Sequence, residues 1–331
     1  MKARELTKLL KVTIPAGLPV MVKGAPGVGK SDIIAQACEA SGADLIIEHP
    51  VVSDPTDFKG LPFAKDGKAE FLPFGSLRQI INAKRRTVFF LDDLGQAPPS
   101  VQAACMQLIL ARRINGSKVS DLVTFVAATN RHKDRAGVTG ILEPVKSRFA
   151  SIVELEPDME DWVAWALQSG VPTELIAFIR FRPNLLFDFE PTNEMKNSPC
   201  PRTVANVGKL MQAGIPSGIE YEVYTGAAGE GFAAELMAFL QIFRDLPNPD
   251  AVLMAPQKAK VPEDPATLYA ICGALARRCG QNTIDNLITY ANRLPAEFSV
   301  LLVRDSVQLV PEVVNNRSYI EWASSHSDVL I

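Results

Sequence analysis

Lys30 and Ser31 close an eight-residue run, Gly24-Ala25-Pro26-Gly27-Val28-Gly29-Lys30-Ser31, that fits the pattern G-x-x-x-x-G-K-[ST]. Its glycines let successive backbone N–H groups turn inward as a nest for phosphate oxygens at a helix N-terminus. Lys30 would reach the β- and γ-phosphates as a point charge, and the Ser31 hydroxyl would ligate Mg2+. The apolar run Leu18–Val22 before the loop reads as a short buried strand, and Asp32–Ala40 after it reads as a helix. A second chemical signal is Thr87-Val-Phe-Phe-Leu-Asp92-Asp93. An apolar strand that ends in acids places carboxylates at the carboxyl edge of a parallel sheet, beside the phosphate loop. Asp92 would hold the Mg2+ through water. Asp93 would act as general base or would position the attacking water. A third strand, Leu122–Asn130, ends in a residue that either orients the hydrolytic water against the γ-phosphate or simply terminates the strand.

The elements between these residues are those of an α/β layer. Asp44–His49 reads as a second strand, Ser76–Arg85 as a helix, Pro98–Ala111 as a helix with proline in its first turn, and Ser151–Leu155 as a last strand. Asn115-Gly116 between short runs predicts a hairpin, and Asp66-Gly67 predicts a second within 54–75. The phenylalanines at the ends of that segment either form a contact surface or pack back on the domain. From Met159 the sequence turns helical, with an irregular connection over 181–200 and a helix over 219–246. Arg202 falls in the first turn of the helix that Pro201 opens. A cation there opposes the helix dipole, so stability does not explain it and a phosphate partner would. Pro247–Pro265 reads as an exposed linker, and helical periodicity returns over 266–326.

Composition bounds the function classes. At 331 residues, 47% hydrophobic and 21% charged, the chain is long enough for two or three domains and a sizeable core. A net charge of −3 gives no electrostatic case for a dedicated nucleic-acid binder, although a local basic patch fits within it. No stretch approaches ~18 uninterrupted apolar residues, so no membrane span is expected. The N-terminal residues 1–11 form an amphipathic charged helix without the apolar centre of a signal peptide. The five scattered cysteines read as small core residues of a reducing compartment, and the three scattered histidines do not make a metal site. A cytoplasmic location follows.

The order of these pieces resembles the AAA+ ATPases, and among them the MoxR-like group, over roughly 17–215. Gly24–Ser31 is similar to the Walker A motif, and Phe89–Gln102, with its Gln-Ala-Pro-Pro-Ser-Val-Gln helix start, to the MoxR Walker B segment. Thr124–Asn130 resembles the sensor 1 strand, and Arg148 in Leu142–Phe149 stands where the family carries its arginine finger. Pro201-Arg202 resembles sensor 2, Asp54–Gly60 the helix-2 insert, and Arg113–Leu122 the pre-sensor hairpin.

The resemblance implies an α/β, P-loop AAA+ parallel-sheet core with a helical lid and an additional C-terminal helical domain. The boundaries would be 1–157 for the nucleotide-binding domain, with insert loops near 54–75 and 112–122. The lid would take 158–246, a linker 247–265 and the last domain 266–331. It implies ATP and Mg2+ as cofactors and a homo-oligomer, usually a hexameric ring. Arg148 would act on the neighbour's γ-phosphate, and Arg202 would contact phosphate from the same subunit's lid. A protein client is implied too, through a partner with a von Willebrand factor A domain. One departure stands out: the Walker B strand usually ends Asp-Glu and here ends Asp92-Asp93. Aspartate is one methylene shorter, and misplacement by ~1 Å can cost ~100-fold in rate, so hydrolysis is expected to be slow. Two other functions fit the same motifs. One is a DNA-associated AAA+ ATPase of the clamp-loader or initiator type, for which Arg277-Arg278 and Lys84-Arg85-Arg86 are the basic hints. The other is a nucleotide-switched scaffold with little turnover.

Overall fold

Continuous apolar runs make the central strands of a sheet that is covered on both faces. Thr87–Leu91 is buried at every position, and Val123–Asn130 is buried at every position but the last. The computed structural model describes residues 1–65, 67–134, 140–192 and 194–326. Asp66 of the expected Asp-Gly turn and residues 327–331 of the expected C-terminal domain lie outside them. The chain divides into two units, Met1–Asp158 and Met159–Ile331.

In the first unit the elements run α1 (Ala3–Thr13), β1 (Val20–Gly24), α2 (Lys30–Ala40), β2 (Asp44–Glu48), α3 (Pro55–Lys59), β3 (Leu61–Lys65), β4 (Lys68–Leu72) and α4 (Gly75–Ile81). Then follow β5 (Thr87–Leu91), α5 (Pro99–Ala111), β6 (Arg113–Ile114), β7 (Ser117–Lys118), β8 (Val123–Asn130), α6 (Glu143–Lys146) and β9 (Ser151–Leu155). Five strands form one parallel sheet in the order β2-β5-β8-β1-β9. One face of it, with Met21, Phe89, Leu91, Phe125 and Ala127, joins α5 in a core that includes Val101, Cys105 and Leu108. Phe89 and Phe125 meet edge to face there, with centroids 5.8 Å apart. The alternate residues, Val20, Val22, Val88, Phe90, Val126 and Ala128, are also fully buried, as the two-residue period requires.

Two antiparallel hairpins stand outside this sheet, β3–β4 and β6–β7. The register of the first pairs Leu61 with Leu72 and Phe63 with Glu70. Leu61, Phe63, Phe71 and Leu72 are exposed, whereas Phe58 just before the hairpin is buried and Phe74 just after it is half-buried.

The second unit is helical: α7 (Met159–Gln168), α8 (Thr173–Phe181), α9 (Pro201–Gln212), α10 (Glu220–Ala228), α11 (Glu230–Arg244), α12 (Pro249–Met254), α13 (Pro265–Ala276), α14 (Ile284–Ala291), α15 (Ala296–Leu309) and α16 (Arg317–Ser325). The expected single helix over 219–246 is two, because Gly229 turns the chain with φ 92° between α10 and α11. The stretch expected as an exposed linker holds α12, whose Val252 and Leu253 are buried. One apolar cluster joins α7, α8, α9, α10 and α11 with Ala266 and Ala270 of α13. A second joins α12 to α16. Arg180 of α8 and Asp305 of α15 pair inside the unit, both almost fully buried, with Nη2 donating to Oδ1 at 2.7 Å.

Candidate nucleotide-phosphate site

Parallel pairing puts the ends of β1 and β8 level, with Gly24 opposite Asn130, and β5 ends beside them at Leu91 opposite Ala127. The three sequence signals therefore converge at the carboxyl edge of the sheet. Beyond β1 the chain turns through the loop 25–29 into α2. Gly29 caps that helix with φ 90° and ψ 21°, a conformation in which a side chain would be strained. Ala25 and Val28 are buried beneath the loop, while Pro26 and Gly29 are half-buried.

Lys30, at the first position of α2, is only 6% exposed. Its Nζ donates to the carbonyls of Gly24 at 3.1 Å and Ala25 at 3.0 Å, and to Asn130 Oδ1 at 2.7 Å. Ser31 Oγ donates to Asp92 Oδ2 at 2.7 Å. The Asp92 backbone N–H donates to the Glu48 carbonyl at 2.8 Å, which fixes the acid at the strand end. Asp93 takes the left-handed conformation with φ 56° and ψ 33°. That conformation is uncommon for a non-glycine residue, although aspartate adopts it more readily than most. Its Oδ1 accepts from Gln96 Nε2 at 2.8 Å and from Asn130 Nδ2 at 3.4 Å. Asn130 is thus a two-sided bridge, with its oxygen on the ammonium of Lys30 and its amide on the carboxylate of Asp93. Lys30, Ser31, Asp92, Asp93 and Asn130 make one connected cluster.

Of the other two residues expected at the site, Arg148 has no hydrogen bond to this cluster among the described residues and Arg202 belongs to the other unit. Arg148 follows α6, is half-buried, and donates through Nη1 to the Pro144 carbonyl of its own helix. Its Nε is buried with no hydrogen-bond partner among the described residues. Arg202 stands exposed in the first turn of α9, in the helical unit. The helix start there is fixed by Thr203, whose Oγ1 accepts from the Cys200 backbone N–H at 2.8 Å.

The donor set suits Mg2+. Ser31 and Asp92 offer a hydroxyl and a carboxylate oxygen at a helix N-terminus, and Mg2+ prefers one or two such ligands plus substrate phosphates to a full protein cage. Among the described residues no group of three or more His, Cys, Asp or Glu could hold a metal ion by itself. The five cysteines are free thiols; Cys38, Cys105, Cys200 and Cys272 are buried. Burial pushes the Cys38 thiol up to about 11 and raises those of Cys105 and Cys272 further. They are packing residues, as expected from their scatter.

Residues 19–149 match the model of the AAA domain, dynein-related subfamily. The fold is that of an AAA+ P-loop domain followed by a helical region. No curated protein sequence matches this chain. Among solved structures, the RuvB Holliday junction branch migration motor of Thermotoga maritima is 15% identical, over 82% of this chain and 80% of its own, with a TM-score of 0.42. NtrX from Brucella abortus in complex with ADP is 13% identical, over 99% of this chain and 68% of its own, with a TM-score of 0.41. At those identities the likeness is one of fold alone.

Sequence reasoning read Gln96 and Gln102 only as the two ends of the helix-start motif and gave neither a role at the site. Gln96 holds Asp93, and Gln102, 1% exposed in the first turn of α5, bonds to the backbone of the 140–142 segment. A signal for Gln102 existed: it is a polar residue on the buried side of an apolar helix. It also missed the bridge at the flank of the site. There Glu154 of β9 accepts from Lys23 at 2.9 Å and Arg131 at 3.4 Å, and the Lys23 ammonium holds its carboxyl below the ordinary range.

Proposed function

We propose that this chain binds ATP with Mg2+ at the Lys30–Ser31–Asp92–Asp93–Asn130 cluster and hydrolyses it slowly, within a homo-oligomeric ring of the MoxR-like kind that remodels a protein client. The observation that carries the reading is the connected pair of contacts Lys30–Asn130–Asp93 and Ser31–Asp92, which gathers three strand ends around one helix N-terminus. The loop amides and Lys30 receive the β- and γ-phosphates. Mg2+, when bound at Ser31 and Asp92, supplies neutralisation of charge on the phosphate oxygens. Asp93 orients the attacking water and takes its proton; Asn130 fixes that carboxylate and, once Lys30 moves to phosphate, turns its amide oxygen toward the water.

Arg148 takes the role of a finger acting on a neighbour. Its contacts stay on its own helix and its Nε is unpaired, which suits a side chain whose acceptor comes from another subunit. Arg202 takes the role of a lid contact to phosphate. The client reading draws on the β3–β4 hairpin, where Leu61, Phe63 and Leu72 share one face by register and are 47%, 54% and 57% exposed. Four of the five basic residues that would argue for DNA have partners within the chain. Arg85 pairs with Asp44, Arg86 donates to the Ser41 carbonyl, Arg277 donates to Thr173 and Arg278 pairs with Asp250. Among the described residues no helix is long and apolar enough to cross a membrane.

The test is nucleotide binding and phosphate release by Lys30→Ala and Arg148→Ala proteins. Lys30→Ala should lose tight binding of ATP; Arg148→Ala should bind ATP normally and lose turnover. Normal binding by Lys30→Ala would overturn the site, and normal turnover by Arg148→Ala would overturn the finger.

A further inference from the structure

Gln102 occupies a place where an apolar residue would pack as well, between the core residues Val101, Ala104 and Cys105 of α5. A polar side chain buried there is tolerated only when its hydrogen bonds are made. They are made, and all to backbone. Nε2 donates to the Ala97 carbonyl at 3.1 Å and to the Gly140 carbonyl at 2.8 Å, and Oε1 accepts from the Leu142 N–H at 3.1 Å. Both amide hydrogens and the oxygen are thereby used. Two of the three bonds go to a segment about 40 residues away in the chain, the one that leads directly into α6. Leu142 is the residue that caps α6, Val145 of α6 is fully buried in the same core as α5, and Arg148 donates back to Pro144 of that helix. The lead-in, the short helix and Arg148 therefore move as one piece, and Gln102 pins that piece to α5. The other end of the same turn reaches the cluster: Ala97 follows Gln96, whose amide donates to the Asp93 carboxylate at 2.8 Å.

We propose that Gln102 is a positioning residue for Arg148, so that it governs hydrolysis at the neighbouring subunit's nucleotide and not at its own. The inference rests on the reading of Arg148 as a finger supplied across subunits. A loss of the three bonds lets α6 shift; a displacement on the order of 1 Å is worth roughly 100-fold in turnover when it falls on a charge-stabilising group.

Gln102→Met keeps the length and volume of the side chain and removes its bonds. It should lower ATP turnover roughly 100-fold while the Kd for ADP stays within roughly twofold of the parent protein. Mixed oligomers then separate the possible causes. Gln102→Met subunits have a sound nucleotide site and a misplaced arginine, so they should recover turnover when mixed with Lys30→Ala subunits. They should recover none with Arg148→Ala subunits. The opposite pattern, rescue by Arg148→Ala and not by Lys30→Ala, would place Gln102 in its own subunit's site and overturn the proposal. Rescue by neither partner, or unchanged turnover in Gln102→Met alone, overturns it as well. If Gln102→Met does not fold, Gln102→Asn, which keeps the amide and shortens its reach, enters the same mixtures with the same expected pattern. The control mixture of Lys30→Ala with Arg148→Ala tests the finger separately: no recovery there removes the finger reading, and this proposal with it, whatever Gln102 does.

Discussion

Asn130 offers a prediction in which two substitutions at one position move nucleotide affinity in opposite directions. Its Oδ1 lies 2.7 Å from the Lys30 ammonium, which is buried to 6% exposure and has the Gly24 and Ala25 carbonyls as further acceptors. A phosphate that enters the loop must draw Lys30 away from Asn130. The contact therefore competes with ligand, and a hydrogen bond to a charged group nets about 1.5–3 kcal/mol. Asn130→Ala removes the competitor, so the ammonium turns to the β-phosphate of ADP without giving up that bond. At the low end of that range the Kd for ADP falls roughly tenfold. Turnover of ATP moves the other way, down by roughly 100-fold or more, because the amide that holds Asp93 and the water is lost. Asn130→Asp keeps the shape but turns a bond with one charged partner into an ion pair with Lys30, a stronger competitor for the ammonium. It also sets a negative charge facing the phosphates, worth about 4 kcal/mol of repulsion at 4 Å and an effective dielectric constant of 20. ADP should then bind at least roughly 100-fold more weakly. Isothermal titration of the three proteins with ADP decides the matter. If Ala and Asp both weaken binding to a similar extent, the Lys30–Asn130 contact is not a competitor of phosphate and the reasoning fails.

Two further outcomes concern stability. Asp305→Ala leaves the buried Arg180 guanidinium unpaired, and breaking a pair of this kind costs about 3–5 kcal/mol; replacing both partners with Met should recover most of that in urea unfolding followed by circular dichroism. Glu154 is held below the ordinary glutamate value of 4.5 by the Lys23 ammonium that donates to it, with Arg131 assisting. A carboxyl depressed in the folded state contributes stability that is complete above the unfolded value and is lost as pH falls through the folded one. The parent protein should therefore lose stability on acidification below pH ~4.5, and Glu154→Gln should be less stable at pH 7 with a shallower fall over that window.

How far the site could be read from the chain depended on how local its signals were. The loop, the two acids after β5 and the asparagine after β8 are each written as an apolar run with a polar end, and a parallel sheet turns such ends into neighbours. Their assembly at one edge therefore followed from strand polarity alone. The Asn115-Gly116 turn between β6 and β7 was legible for the same reason, since its conformation is set by the two residues themselves. Gln96 and Gln102 stood in the quoted helix-start motif, but their roles were not legible, because two of Gln102's three partners lie 38 and 40 residues on. Asp305 meets Arg180 across 125 residues, which no spacing rule reaches. The 247–265 stretch misled through its prolines and lysines, whose polarity hides the two residues, Val252 and Leu253, that anchor α12. The break at Gly229 was visible as a glycine but was outweighed by helical periodicity on both sides.

The left-handed Asp93 is the residue on which the proposed chemistry depends most, because it stands where a longer glutamate is usual and is held by Gln96 and Asn130. Phosphate release from ATP by the purified oligomer, with and without Asp93→Ala and with ATP binding measured alongside, tests the account most directly. The account predicts slow release by the parent protein and its loss in Asp93→Ala, with ATP still bound by both. An oligomer that binds ATP and releases phosphate at a rate unchanged by Asp93→Ala would contradict it.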